Sequence, residues 1–153
     1  MQNGLISMQN VSQVTNFAMG FDLCHYDLID AFDLNQWNVS NGKKMFRLLW
    51  NVKFDPIISN WDVSWVQTMK FMFSDEENFS QDLSGWNVSL LVSMITQMLV
   101  VASKFNSNIS QWNMSNSEDF DCIFNGAVSF SQRLCRDNER ITTTKDMFKL
   151  LKQ

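Results

Sequence analysis

The chain has 153 residues, a formal net charge of −4 and 45% apolar residues. That length suits one domain. The acidic balance speaks against nucleic acid as a partner, and no apolar stretch approaches the roughly 20 residues that a membrane-spanning helix needs. Ten Met, six Trp and thirteen Phe stand against one Tyr, a choice of large groups without polar tips that suits a narrow, dry, repeating interior.

From the N-terminus, Met1 to Ser7 carries neither the basic start nor the long apolar run of a signal peptide. The expectation is an intracellular chain or a piece of a larger secreted protein. Asn10-Val11-Ser12-Gln13-Val14, followed by Phe17 and Phe21, reads as a half repeat, and the stretch from Gly20 to Asp30 is irregular. Residues 1–30 are therefore expected to form an N-terminal cap. His25 is the chain's single histidine and Cys24 its neighbour in sequence. Adjacent side chains rarely point the same way, so this pair reads as part of an ordinary loop rather than a nucleophile and its base.

Residues 31–130 hold four repeats. Trp37, Trp61, Trp86 and Trp112 follow one another at intervals of 24, 25 and 26 residues. Three residues before each Trp stands Leu34, Ile58, Leu83 or Ile109; two after it stands Val39, Val63, Val88 or Met114; and Ser40, Ser64, Ser89 or Ser115 comes next. Phe54, Phe79, Phe105 and Phe130 recur as well. Self-similarity at this period marks a stacked-repeat protein. The L-x-x-W-x-V spacing is that of a leucine-rich-repeat strand, which predicts a buried column of Trp beside a column of Val and Met. After Ser64, the residues Val66, Met69, Met72 and Phe73 are spaced by three and four, as on one face of a helix. Ser40, Ser64, Ser89 and Ser115 then stand where helix N-caps belong. The expected fold is an α/β, leucine-rich-repeat-like right-handed solenoid of short parallel strands and short helices, with 1–153 as a single domain.

Residues 131–153 should close the stack as a capping repeat: Asp137 and Glu139 take the Trp and Val slots, and Ile141, Met147 and Phe148 suggest a last short helix. Three cysteines at irregular spacing do not make a disulfide framework, although Cys122 could pair with Cys135 in an oxidising compartment. Neither a zinc ligand set nor a phosphate loop is legible, and Asp75-Glu76-Glu77 reads as a solvated turn rather than a calcium site. No cofactor and no enzymatic activity are expected. Six N-x-S sequons occur, at Asn10, Asn38, Asn78, Asn87, Asn108 and Asn113; three share one repeat slot, so repeat chemistry explains them better than glycosylation.

The stretches from Phe54 to Ser64 and from Phe79 to Ser89 resemble the BspA-like surface-protein repeat of about 25 residues, also called the DUF285 repeat, whose pattern is approximately F-N-x-D-I-S-x-W-D-V-S-x-V-x-x-M-x-x-M-F. Val66 to Phe73 continues that pattern, and Phe124-Asn125-Gly126-Ala127 is similar to its M-F-x-G-A turn. Asp75-Glu76-Glu77 and Val100-Val101-Ala102 depart from the S-G-A that the family prefers. The resemblance implies a surface or secreted protein with a role in adhesion and no catalytic residues. The residues flanking Trp on the outward side, chiefly Asn60, Asp62, Asn87, Gln111 and Asn113, form the candidate binding face for a protein or glycan partner. The alternatives are a structural spacer or fragment of a larger surface protein and, remotely, a solenoid hydrolase, for which the face offers one carboxylate, Asp62.

Overall fold

The computed structural model describes residues 9–21, 33–52, 54–91, 96–117, 120 and 122–132. Cys24, His25, Cys135 and the last capping helix expected around Met147 lie outside them. Successive repeats lie side by side, and their backbones are joined at a separation of one repeat. The N–H groups of Met45, Arg47, Leu49 and Asn51 donate to the carbonyls of Thr68, Lys70, Met72 and Ser74 at 3.0–3.2 Å. Phe73 and Asp75 donate in the same way to Met98 and Val100, and Leu99 and Val101 to Ile123 and Asn125. Earlier in the chain, Phe17, Met19 and Phe21 donate to Lys44, Phe46 and Leu48. Alternate residues thus reach the next repeat, and the bridges between repeats are parallel: Asn16 with Lys44, Lys44 with Thr68, and Asp33 with Ile57.

This backbone overturns the expected α/β solenoid. No helix occurs among the described residues, and the only strand-like pairings there are those isolated bridges. The described parts of the segments expected to be helical are tandem turns. Leu48 donates to Met45, Met72 to Met69, Ser74 to Phe71, Ala102 to Leu99 and Asn125 to Cys122, so each bond closes over three residues where an α-helix closes over four. Two positions per repeat are left-handed: Arg47, Phe71, Gln97 and Cys122 at one, and Asn51, Asp75, Val101 and Gly126 at the other. A left-handed residue every fourth position ends any right-handed helix before it completes a turn. The apolar residues spaced by three and four are the inward corners of these turns.

Glycine stands at the second left-handed slot once, at Gly126 (φ 78°), and a Cβ there would approach the backbone of Val101 at 3.3 Å. Gly126→Ala is expected to cost about 1–2 kcal/mol in urea unfolding, from the left-handed backbone and the crowding together. Asn51 and Asp75 carry side chains that tolerate this conformation, whereas Val101 (φ 59°) holds a β-branched residue in it.

The interior follows the repeat. One buried cluster extends from Phe17 to Phe130. Trp61, Trp86 and Trp112 are buried, while Trp37 is half-buried and packs against the cluster. The indoles of Trp37 and Trp61 stack at 6.4 Å between centroids and 5° between planes, and those of Trp61 and Trp86 at 6.4 Å and 7°. Val39, Val63 and Val88 are buried beside them, with Met114 half-buried in the fourth repeat. A second column runs through Phe79, Phe105 and Phe130, with neighbouring rings 5.8 Å apart. The half repeat before Trp37 contributes Phe17 and Phe21, both buried, with the Phe21 ring 5.6 Å from that of Trp37.

Candidate functional site

All five residues of the candidate face, Asn60, Asp62, Asn87, Gln111 and Asn113, are exposed. Their positions recur because each follows or precedes a buried Trp, so the interior column spaces them. The expected β-ladder does not carry them; short side-chain-closed turns do. Asp62 Oδ1 accepts from the Ser64 N–H at 3.0 Å, and Asn87 and Asn113 accept from Ser89 and Ser115 at 3.1 Å. Asn10 and Asn38 do the same for Ser12 and Ser40 at 3.1 Å. This is an Asx turn, in which a side-chain oxygen substitutes for a backbone carbonyl. Asn60 joins adjacent repeats by donating its backbone N–H to Asn35 Oδ1 at 3.0 Å. Gln111 Nε2 reaches Ser110 Oγ at 3.5 Å.

The serines therefore do not act as helix N-caps: no helix follows them among the described residues, and their N–H groups are donors to the preceding Asx. Ser64→Ala and Ser89→Ala should accordingly be nearly silent in thermal melts. Asn87→Ala, and equally Asn87→Gln with its longer side chain, should cost about 1 kcal/mol, the net worth of the lost turn bond. A loss at Ser89 equal to that at Asn87 would contradict this assignment. The same geometry gives the sequon spacing a structural purpose. The side-chain oxygens of Asn10, Asn38, Asn87, Asn108 and Asn113 each close a turn onto the serine two residues on, and Asn78 accepts from Lys104 Nζ at 2.8 Å.

A second row of polar groups ties repeat to repeat. Asp55 accepts from the N–H and the hydroxyl of Ser80 at 3.1 and 2.6 Å. Asn106 accepts from the Ser131 N–H at 3.0 Å and from Gln132 Nε2 at 2.9 Å. Ser107 Oγ accepts from the Leu83 N–H and donates to Asp82 Oδ1. The Ser84 N–H, then the hydroxyls of Ser84 and Ser107, hold the exposed Asp82 carboxyl below the usual carboxylate range.

Among the described residues no three His, Cys, Asp or Glu side chains converge as a metal site would require. Cys122 is half-buried and unpaired there, and its partner in the suggested disulfide, Cys135, lies outside the described residues. In the Asp75-Glu76-Glu77 run, Asp75 and Glu77 are exposed but Glu76 is buried, which departs from a uniformly solvated turn. No helix among the described residues is long and apolar enough to cross a membrane.

Two tryptophans fall outside the repeat column. Trp65 is 62% exposed. Trp50 is half-buried, donates its Nε1–H to Asp75 Oδ2 at 2.9 Å and lies under the Arg47 guanidinium, 4.5 Å from ring centroid to Cζ. Repeat arithmetic passes over both because neither recurs; their departure from the column is the one sequence signal that marks them.

Taken together, the period, the side-by-side backbones and the continuous aromatic interior define a stacked-repeat protein. The family model described as "Mycoplasma protein of unknown function, DUF285" matches residues 1–55 and 43–153, and the chain belongs to that family. No curated protein and no solved structure matches the chain.

Proposed function

We propose that this chain is a non-catalytic binding or adhesion module of the BspA-like type, which recognises a peptide or glycan through Asn60, Asp62, Asn87, Gln111 and Asn113. The observation that carries this reading is the joint exposure and fixation of those residues. Their side chains face solvent while Asx turns and inter-repeat bonds hold the Asp62, Asn87, Asn113 and Asn60 positions. A pre-ordered polar row loses little conformational entropy on contact. The face carries one carboxylate, Asp62, which favours recognition over hydrolysis. Each contact exchanges water for ligand at about 0.5–1.5 kcal/mol net, so affinity should be modest.

Glycan and peptide arrays, probed with wild type and with an Asn60/Asp62/Asn87 triple-Ala variant, test the proposal. A companion pair, Asp62→Asn and Asn87→Asp, retains the turn-closing oxygen while changing what the face presents. Loss of a wild-type signal in the triple variant, with a changed ligand preference in the companion pair, supports the reading. Binding that survives every one of these changes places the site elsewhere. No binding by wild type favours a structural spacer, a role consistent with how many of these oxygens already serve the chain's own backbone.

A further inference from the structure

Among the described residues the chain has five cations, Lys43, Lys44, Arg47, Lys70 and Lys104. The first four sit on two adjacent repeats of a chain whose net charge is −4. Backbone pairing brings them together. Arg47 donates its N–H to the carbonyl of Lys70 at 3.1 Å, Lys44 bridges Thr68, and Lys43 accepts from Gln67. The Arg47 guanidinium lies 4.5 Å from the Trp50 ring centroid and 5.4 Å from those of Phe46 and Phe71, and Lys70 Nζ lies 5.2 Å from that of Phe71. Phe46 and Phe71 meet edge to face at 6.1 Å, and all three rings are half-buried. The repeat-equivalent positions of Arg47 are Phe71, Gln97 and Cys122, so this cluster is not part of the recurring interior.

Neither Arg47 nor Lys70 has an ion-pair partner among the described residues. Asp75, which meets the cluster through Trp50, accepts from Trp50 Nε1 and from the Ser74 hydroxyl. Arg47 Nε is buried without an acceptor, and the side chain as a whole is half-buried. Aromatic rings hold the guanidinium plane in place, so its fork is pre-oriented for a bidentate carboxylate.

We propose that Lys44, Arg47 and Lys70, set among Phe46, Trp50 and Phe71, form a docking surface for an acidic peptide segment of a partner protein, distinct from the polar face described above. Charge complementarity selects the occupant. A short acidic peptide supplies the few carboxylates that three or four cations can pair. A long nucleic acid would instead meet the chain's overall negative field. A sugar ring would need an open aromatic face, and Arg47 covers one face of Trp50.

The test is fluorescence anisotropy with labelled octaglutamate, against octaglutamine and a thymidine octanucleotide. Octaglutamate should bind saturably, weaken with added salt, and lose at least about tenfold in affinity to the double variant Arg47→Gln/Lys70→Gln. Gln is compatible with the left-handed backbone at position 47, since Gln97 occupies the equivalent slot with φ 57°. The pair Lys44→Gln/Lys70→Gln, at one exposed and one half-buried position, should also weaken binding and serves if the first variant melts early. Lys104→Gln should leave binding unchanged, which separates this surface from a general response to positive charge. Absence of octaglutamate binding, equal binding of octaglutamine, indifference to both double variants, or tighter binding of the oligonucleotide would each overturn the proposal.

Discussion

Trp86→Ala should lower the stability of the chain by about 3–5 kcal/mol, the range for removing a fully packed Trp from a core. Trp86 is buried, stacked on Trp61 at 6.4 Å, and 6.0 Å from Phe73. The cavity would open in the middle of the stack, where each repeat depends on its neighbours for burial. Chemical denaturation followed by tryptophan fluorescence and circular dichroism measures the loss, and a variant melting with the wild type would remove Trp86 from its assigned position. A finer comparison separates packing from hydrogen bonding. The Trp61 and Trp112 indole N–H groups donate to the Leu34 and Leu83 carbonyls at 2.8 and 3.0 Å. The buried N–H of Trp86 has no hydrogen bond among the described residues. Trp61→Phe should therefore cost about 1 kcal/mol more than Trp86→Phe: it removes a buried hydrogen bond and leaves the Leu34 carbonyl with the Trp37 N–H as its donor, whereas Trp86→Phe removes an N–H that makes no bond.

Phe105→Ala should be comparably severe, again about 3–5 kcal/mol. Its ring is wholly buried and stacked between Phe79 and Phe130, 5.8 Å from each and tilted by 13° and 3°. Phe105→Leu keeps most of the volume and loses the ring–ring contacts, so about 1–2 kcal/mol is expected from that change. Equilibrium unfolding of the two variants side by side reads the difference. Equal losses would mean that volume alone matters at this position; a small loss for both would mean that the Phe column is not continuous. These two columns are parallel supports of one interior, with Phe73 touching both: it lies 4.1 Å from Phe79 and 6.0 Å from Trp86.

The side-chain interior was legible in the sequence because burial in a repeat protein follows recurrence. Trp61, Trp86, Phe79 and Phe105 return at a fixed period, and an interior that repeats must use the same slot each time. The exposure of Asn60, Asp62, Asn87, Gln111 and Asn113 was legible for the same reason, as neighbours of buried Trp. Family membership was legible too, since the motif recurs in register and the DUF285 model matches along the chain.

The backbone path was decided only in three dimensions. Apolar residues spaced by three and four suit a helical face, but they equally suit the inward corners of tandem turns. What separates the two is where the N–H groups go, and Met45, Arg47 and Leu49 send theirs to carbonyls 23 residues further along the chain. No local pattern records a partner at that distance. The serine assignment failed with the helices: a hydroxyl at Ser64 looks like an N-cap until the Asp62 carboxylate is seen to take its N–H. The cluster around Arg47 was hidden for a related reason. Phe71 is 24 residues from Arg47 in sequence and 5.4 Å from its guanidinium in the fold. Composition and period determine which side chains this chain must bury. The stacking of repeats, through bonds and contacts one full period apart, decides the turns that carry them and the surface they leave outside.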